Sequence, residues 1–160
     1  MNNVLDTIYV NLNTMGHKVK ISNRSTNANP EYKTTGSSGM DIRAFIEGPK
    51  SLQPFERALI PTGIYLEMDS SIECQIRPRS GLALKKGLTV LNTPGTIDAD
   101  YRGEVGVILV NLSQETVVIE NGDRIAQMIF AQVEKAVFEN VENVEPSERG
   151  SGGFGSTGIK

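Results

Sequence analysis

The sequence predicts an all-β protein, a sandwich or barrel with one short helix and a flexible, glycine-rich C-terminal tail. Three features lead to that class. Extended segments recur at short intervals, separated by turns rich in Gly and Pro. Val, Ile, Thr and Gly are frequent, which favours strands and turns over long helices. Only one stretch, residues 81–86, reads as a helix. A length of 160 residues suits one domain, and a 38% apolar share with 16 glycines is enough for one ordinary core.

Residues 8–11 and 19–22 read as early strands. Residues 57–60 and 64–68 flank Pro61-Thr62-Gly63, a turn. Residues 72–77 alternate Ile72, Cys74 and Ile76 with Glu73, Gln75 and Arg77, so one face is apolar and the other polar. The helix has Ser80 as its expected N-cap and Gly87 as its terminator. Pro94-Gly95 suits the central pair of a type II turn, so a hairpin is expected there. Residues 105–110 form a continuous apolar run suited to a strand buried on both faces. Residues 117–120 and 125–133 complete the set. Residues 23–35 carry no motif. After Val133 the chain turns acidic and less periodic, and residues 150–160 contain five glycines. The expected organisation is a β domain over residues 1–148 and a C-terminal lid over 149–160.

Charge narrows the function. The net charge is −3, from 16 basic and 19 acidic residues, with no strongly basic stretch, so a nucleic-acid polymer is an unsuitable partner. The first residues lack a basic region followed by an apolar run, and no apolar run is long enough to span a membrane. Cys74 is the only cysteine, which excludes an internal disulfide and a cysteine-rich zinc site. These features fit a soluble cytoplasmic protein. His17, the sole histidine, is expected at the surface, and Cys74 on the buried face of its strand.

Five segments carry chemistry. In Pro78-Arg79-Ser80-Gly81-Leu82-Ala83, free N–H groups at a helix start and a guanidinium fork suit an anion. Taken alone, the segment fits simple helix capping with a surface arginine better. In the stretch from Leu91 to Gly103, a hairpin tip exposes main-chain groups able to read a base edge, and Asp98 at a strand end can take a proton from water. Local turn hydrogen bonds are the plainer reading of Asp98 and Asp100. In Gly39-Met40-Asp41-Ile42-Arg43-Ala44, Asp41 stands in an apolar context and can hold a metal-bound water. In Gly122 to Phe130, Gln127 interrupts an apolar stripe and needs a partner. In Glu148 to Gly158, a glycine-rich run without the ending of a P-loop holds one aromatic, Phe154, able to stack on a base.

Together and in this order, these segments resemble the five motifs of the homotrimeric dUTPase family, bracketing about three quarters of the chain. The first motif departs slightly, with Ser38 and Ile42 where the family usually has Ala and Leu, and Asp41 is retained. The resemblance implies a jelly-roll-like β fold, a threefold trimer with active sites between subunits, and Mg²⁺-assisted hydrolysis of dUTP to dUMP and pyrophosphate. It implies Asp98 as general base and Asp41 as the holder of Mg²⁺ through water. Arg79, Ser80, Gly81 and Gln127 would contact phosphates. Asn92, Gly95, Thr96 and Ile97 would read uracil, and Tyr101 would pack under the sugar. Arg149, Phe154, Gly155, Ser156 and Thr157 would close over the nucleotide from the tail. A dCTP deaminase of the same fold would need a glutamate on the strand after the third motif, and residues 105–110 have none. A purely regulatory dUTP-binding protein would have lost catalytic residues, and none is lost.

Overall fold

Period-two alternation builds the strand that organises the fold. In β6 (Ile72–Arg77), Ile72, Cys74 and Ile76 are buried, while Glu73 and Gln75 are half-buried and Arg77 is exposed. The computed structural model describes residues 16–153. Among them the strands before β6 are β1 (Lys20–Asn23), β2 (Met40–Arg43), β3 (Lys50–Leu52), β4 (Arg57–Ile60) and β5 (Ile64–Glu67). After β6 come α1 (Ser80–Lys86), β7 (Leu88–Val90), β8 (Gly95–Ile97), β9 (Val107–Asn111), β10 (Val117–Ile119) and β11 (Arg124–Gln132). The expected strand at residues 8–11 lies outside the described residues. No helix among the described residues is long and apolar enough to cross a membrane.

The strands form a four-stranded sheet of order β2-β11-β6-β8, a three-stranded sheet β4-β9-β7, and the pairs β1-β5 and β10-β3. Every pairing is antiparallel. All contribute to one core, in which Ile42, Leu52, Ile60, Ile72, Leu109 and Ile119 are almost wholly buried. The fold is therefore all-β and jelly-roll-like, as expected. β9 is the expected apolar strand, starting two residues later than the run itself, with Ile108 alone half-exposed. His17 is exposed and Cys74 fully buried.

Two local expectations need correction. The N-cap of α1 is Arg79, extended at φ −94 and ψ 125, and no side chain caps the helix. The helix thus begins at Ser80, and its hydroxyl is not used for capping. Arg79 is held instead by its ion pair with Asp41. The hairpin turn is not type II: that geometry needs positive φ at its third residue, whereas Gly95 starts β8 without positive φ and the Thr93–Pro94 peptide is cis. Gly87 does end the helix as expected, in the left-handed region at φ 60.

The motif-free stretch after β1 has a structural task. Asn23 Oδ1 accepts from Ser25 N at 2.9 Å and Ser25 Oγ at 2.7 Å, closing a tight turn. Asn27 Nδ2 then donates to the Ala44 carbonyl at 3.0 Å, and Arg24 N to the Gly63 carbonyl at 2.8 Å. The segment clasps the end of β2 to the β4–β5 turn.

Candidate active site

A single bulge decides which side chains meet. The pairing of β11 with β2 shifts between Arg124 and Ala126, leaving Ile125 as the extra residue. Beyond the bulge, Gln127 lies opposite Asp41 on β2 and opposite Arg77 on β6. These three polar residues form one row across the sheet. Their neighbours Ile42, Met128 and Ile76 are buried in the core, so the row faces away from it.

Asp41 is the hub of that row. Its Oδ1 accepts from Arg79 Nε at 2.7 Å and its Oδ2 from Arg124 Nη1 at 3.0 Å. Arg79 and Asp41 are about three-quarters buried, at 24% and 21% side-chain exposure, so the pair is partly shielded from solvent. Arg79 Nη1 also donates to the Arg124 carbonyl at 3.3 Å. Gln127 finds the partner its position demands by donating from Nε2 to the Pro78 carbonyl at 2.9 Å. Gly39 makes room for it: a Cβ at 39 would lie 2.7 Å from Gln127 Oε1. Next to this cluster, the first N–H groups of α1, on Ser80 and Gly81, have no carbonyl within the helix to accept them. Ser80 and Gly81 are exposed.

A second group forms around β8. Asn92 is exposed, Gly95 buried, Thr96 exposed and Ile97 half-buried. Among the described residues β8 pairs only with β6 and is the outer strand of its sheet, so its outer edge has no strand partner there. Asp98 follows directly, exposed, and its carboxylate makes no hydrogen bond or ion pair among the described residues. It lines a cleft of about 540 Å³ with Glu73, Asp100, Arg102 and Lys135. Tyr101 N donates to the Asp98 carbonyl at 3.1 Å, closing the loop behind it. The Tyr101 ring lies against Gly103, where a Cβ would sit 2.2 Å from the tyrosine oxygen.

The two groups do not meet within one chain. Ile97 pairs with Cys74, so Asp98 falls beside Glu73, whereas Gln127 pairs with Arg77. Four residues along a strand span about 13 Å, and two strand spacings add about 10 Å across the sheet. Arg149 is exposed and bonds locally, from Nε to the Gly152 carbonyl at 2.8 Å. Phe154, Gly155, Ser156 and Thr157 lie outside the described residues. Arg124 was not singled out as a site residue, because its place beside Asp41 depends on a bulge with no mark in the hydrophobic pattern.

Among the described residues no three His, Cys, Asp or Glu side chains gather to hold a metal. Asp41 has each carboxylate oxygen on a guanidinium, so it offers a cation at most a contact through water. Guanidinium forks and free amides at a helix start define a β-protein with a surface suited to a polyphosphate anion.

The comparisons narrow that class. The dUTPase family model matches residues 26–158. The deoxyuridine 5'-triphosphate nucleotidohydrolase of Cytophaga hutchinsonii is 54% identical over 149 residues, covering 93% of this chain and 97% of its own. The enzyme of that name from Treponema denticola is 60% identical over 130 residues, covering 81% and 90%. Among solved structures, a mutant dUTPase of Staphylococcus bacteriophage 80alpha with dUpNHpp is 25% identical. It superposes with a TM-score of 0.79, covering 89% of this chain and 99% of its own. The chain belongs to the dUTPase family.

Proposed function

We propose that the chain hydrolyses dUTP to dUMP and pyrophosphate, with Asp98 as the general base. The observation that carries this reading is the division of labour between the two groups: a carboxylate and a strand edge without partners among the described residues, and a guanidinium–amide cluster elsewhere. In the reaction, Asp98 takes the proton of a water whose oxygen attacks the α-phosphorus. The bond to the α–β bridging oxygen breaks, and its electron pair leaves with pyrophosphate. Arg79 and Gln127, with the free N–H groups of Ser80 and Gly81, grip the phosphate chain and hold the leaving group in line. A bound Mg²⁺ supplies charge neutralisation at the phosphate oxygens, and Asp41 would hold it through water.

Selectivity follows from β8. Its outer main-chain edge, over Gly95, Thr96 and Ile97 with Asn92 nearby, reads the donor and acceptor pattern of uracil. Cytosine presents the opposite pattern and would leave those groups unpaired. The hairpin leaves no room for the 5-methyl of thymine. Tyr101 packs beneath the sugar and rejects a 2′-hydroxyl. Residues 149–160 act as a lid: Arg149, Ser156 and Thr157 reach phosphates, Phe154 stacks on the base, and Gly155 lets the backbone approach.

Because about 13 Å and two strands separate Asp98 from Gln127 in one chain, a triphosphate, shorter than that gap, cannot hold its α-phosphorus at Asp98 and its outer phosphates at Gln127 there. A site shared between subunits, in a homotrimer, resolves this. Residues after β11 support it: Val137 and Phe138 are 95% and 92% exposed, an arrangement that suits contact with another copy. The buried free thiol of Cys74 supports a cytoplasmic setting. The test is Mg²⁺-dependent pyrophosphate release from dUTP, with dCTP, dTTP and UTP in parallel. Release from dUTP alone is expected. Ammonia from dCTP, or tight dUTP binding without turnover, would replace the reading.

A further inference from the structure

Glu104 has no part in the chemistry above, yet its carboxylate joins two elements. Its Oε1 accepts from the main-chain N–H groups of Thr62 at 2.9 Å and Gly63 at 2.7 Å, in the turn between β4 and β5. Three further bonds fasten the same junction. Thr62 Oγ1, buried, donates to the Val105 carbonyl at 2.6 Å and accepts from Ile64 N at 3.2 Å. Val105 N donates to the Ile64 carbonyl at 2.8 Å. The junction is rigid because the turn beneath it is rigid: Gly63 has φ +71, and a Cβ there would lie 2.7 Å from Ser25 N.

From this anchor the loop runs back to the sugar-binding tyrosine. Tyr101 Oη donates to the Glu104 carbonyl at 3.0 Å. The tyrosine is 45% exposed, so core packing alone does not fix its ring. Its ring plane is set by the Gly103 surface on one side and by this hydroxyl bond at its tip. Arg102 Nη1 braces the turn by donating to the Ala99 and Tyr101 carbonyls at 2.7 and 2.9 Å.

We propose that Glu104 is a positioning residue for sugar discrimination: it pins residues 104–105 to the β4–β5 turn and thereby holds the Tyr101 ring where a deoxyribose fits and a ribose does not. The inference rests on the reading of Tyr101 as the sugar contact. A carboxylate accepting two main-chain N–H bonds is a strong local restraint, and a ring displaced by even a fraction of an ångström no longer discriminates one hydroxyl.

The test is kcat/KM for dUTP and for UTP in the full chain and in E104A, E104Q, Y101F and Y101A. E104A lowers the preference for dUTP over UTP by about tenfold or more. E104Q keeps the preference, because its amide oxygen still accepts both N–H groups. Y101F breaks the link from the exposed side without touching the turn, so it lowers the preference even if E104A fails to fold. A merely structural role for Glu104 would reduce both activities by one factor and leave their ratio unchanged. A relaxed ratio in Y101A with unchanged ratios in E104A and Y101F would overturn the role of Glu104 and leave Tyr101 as the sugar contact. An unchanged ratio in Y101A would remove that contact, and the inference with it.

Discussion

Asp98 sits where a base is useful: at a strand end, exposed, with its carboxylate free of any partner among the described residues. Asp98→Asn keeps the shape and removes the basicity. Turnover should fall by roughly a hundredfold or more, the usual scale of a lost general base, while nucleotide binding is largely kept. Stopped turnover with an unchanged dissociation constant is the expected pair of measurements, and full activity would exclude Asp98. Cys74 makes an opposite case. Burial, helped by the Glu73 charge, pushes its pKa up to about 12 from an ordinary value near 9. The folded state therefore keeps a proton that the unfolded chain sheds from about pH 9 upward. Stability linked to Cys74 is intact below that pH and declines as pH rises toward about 12. Denaturant midpoints should fall more steeply between pH 8 and 11 in the natural chain than in Cys74→Ala. Residue types with unusual chemical needs were readable in advance: Gln127 needed a partner and has Pro78, and Cys74 is buried. The Asp41–Arg124 contact was not, because it depends on pairing between residues 83 positions apart.

Strand by strand, legibility was uneven. β4 and β6 occupy the expected residues, and β5, β10 and β11 agree within a residue at each end. β2, β3 and β7 were not foreseen as strands, and length does not set them apart, since β4, β5 and β10 are as short. What sets their places is tertiary pairing, as at the end of β9. Asn111 there is fully buried and fully bonded. Its Nδ2 donates to the Leu52 carbonyl at 2.9 Å and the Glu115 carbonyl at 2.7 Å. Its Oδ1 accepts from Ser113 N at 2.9 Å and Ser113 Oγ at 2.8 Å. One side chain thus joins β9, β3 and the loop into β10. Asn111→Ala strands several buried groups and should cost about 3 kcal/mol in denaturant unfolding. Activity per folded molecule should stay close to that of the natural chain.

At the scale of the molecule, a site shared between copies predicts a trimer. Sedimentation equilibrium should give three times the 17.4 kDa chain mass. A monomer with full activity would contradict a site shared between copies. Removing residues 149–160 should leave that mass and the unfolding midpoint unchanged while turnover collapses, the outcome expected of the proposed lid. An unchanged rate would end the lid's role. A site shared between copies is implied only by the family resemblance, since no pattern within one chain says which copy supplies which group. The register supplies the physical counterpart, by keeping Asp98 and Gln127 apart.

β8 has a consequence for how such an enzyme can change. Its outward edge presents amide and carbonyl groups, and those are the same for every amino acid except proline. If the base is read there, point substitutions along the strand leave the lettering intact and alter only its surroundings. Drift in sequence is then tolerated without drift in substrate. A shift to another base would require moving the strand itself, through the length or geometry of the hairpin.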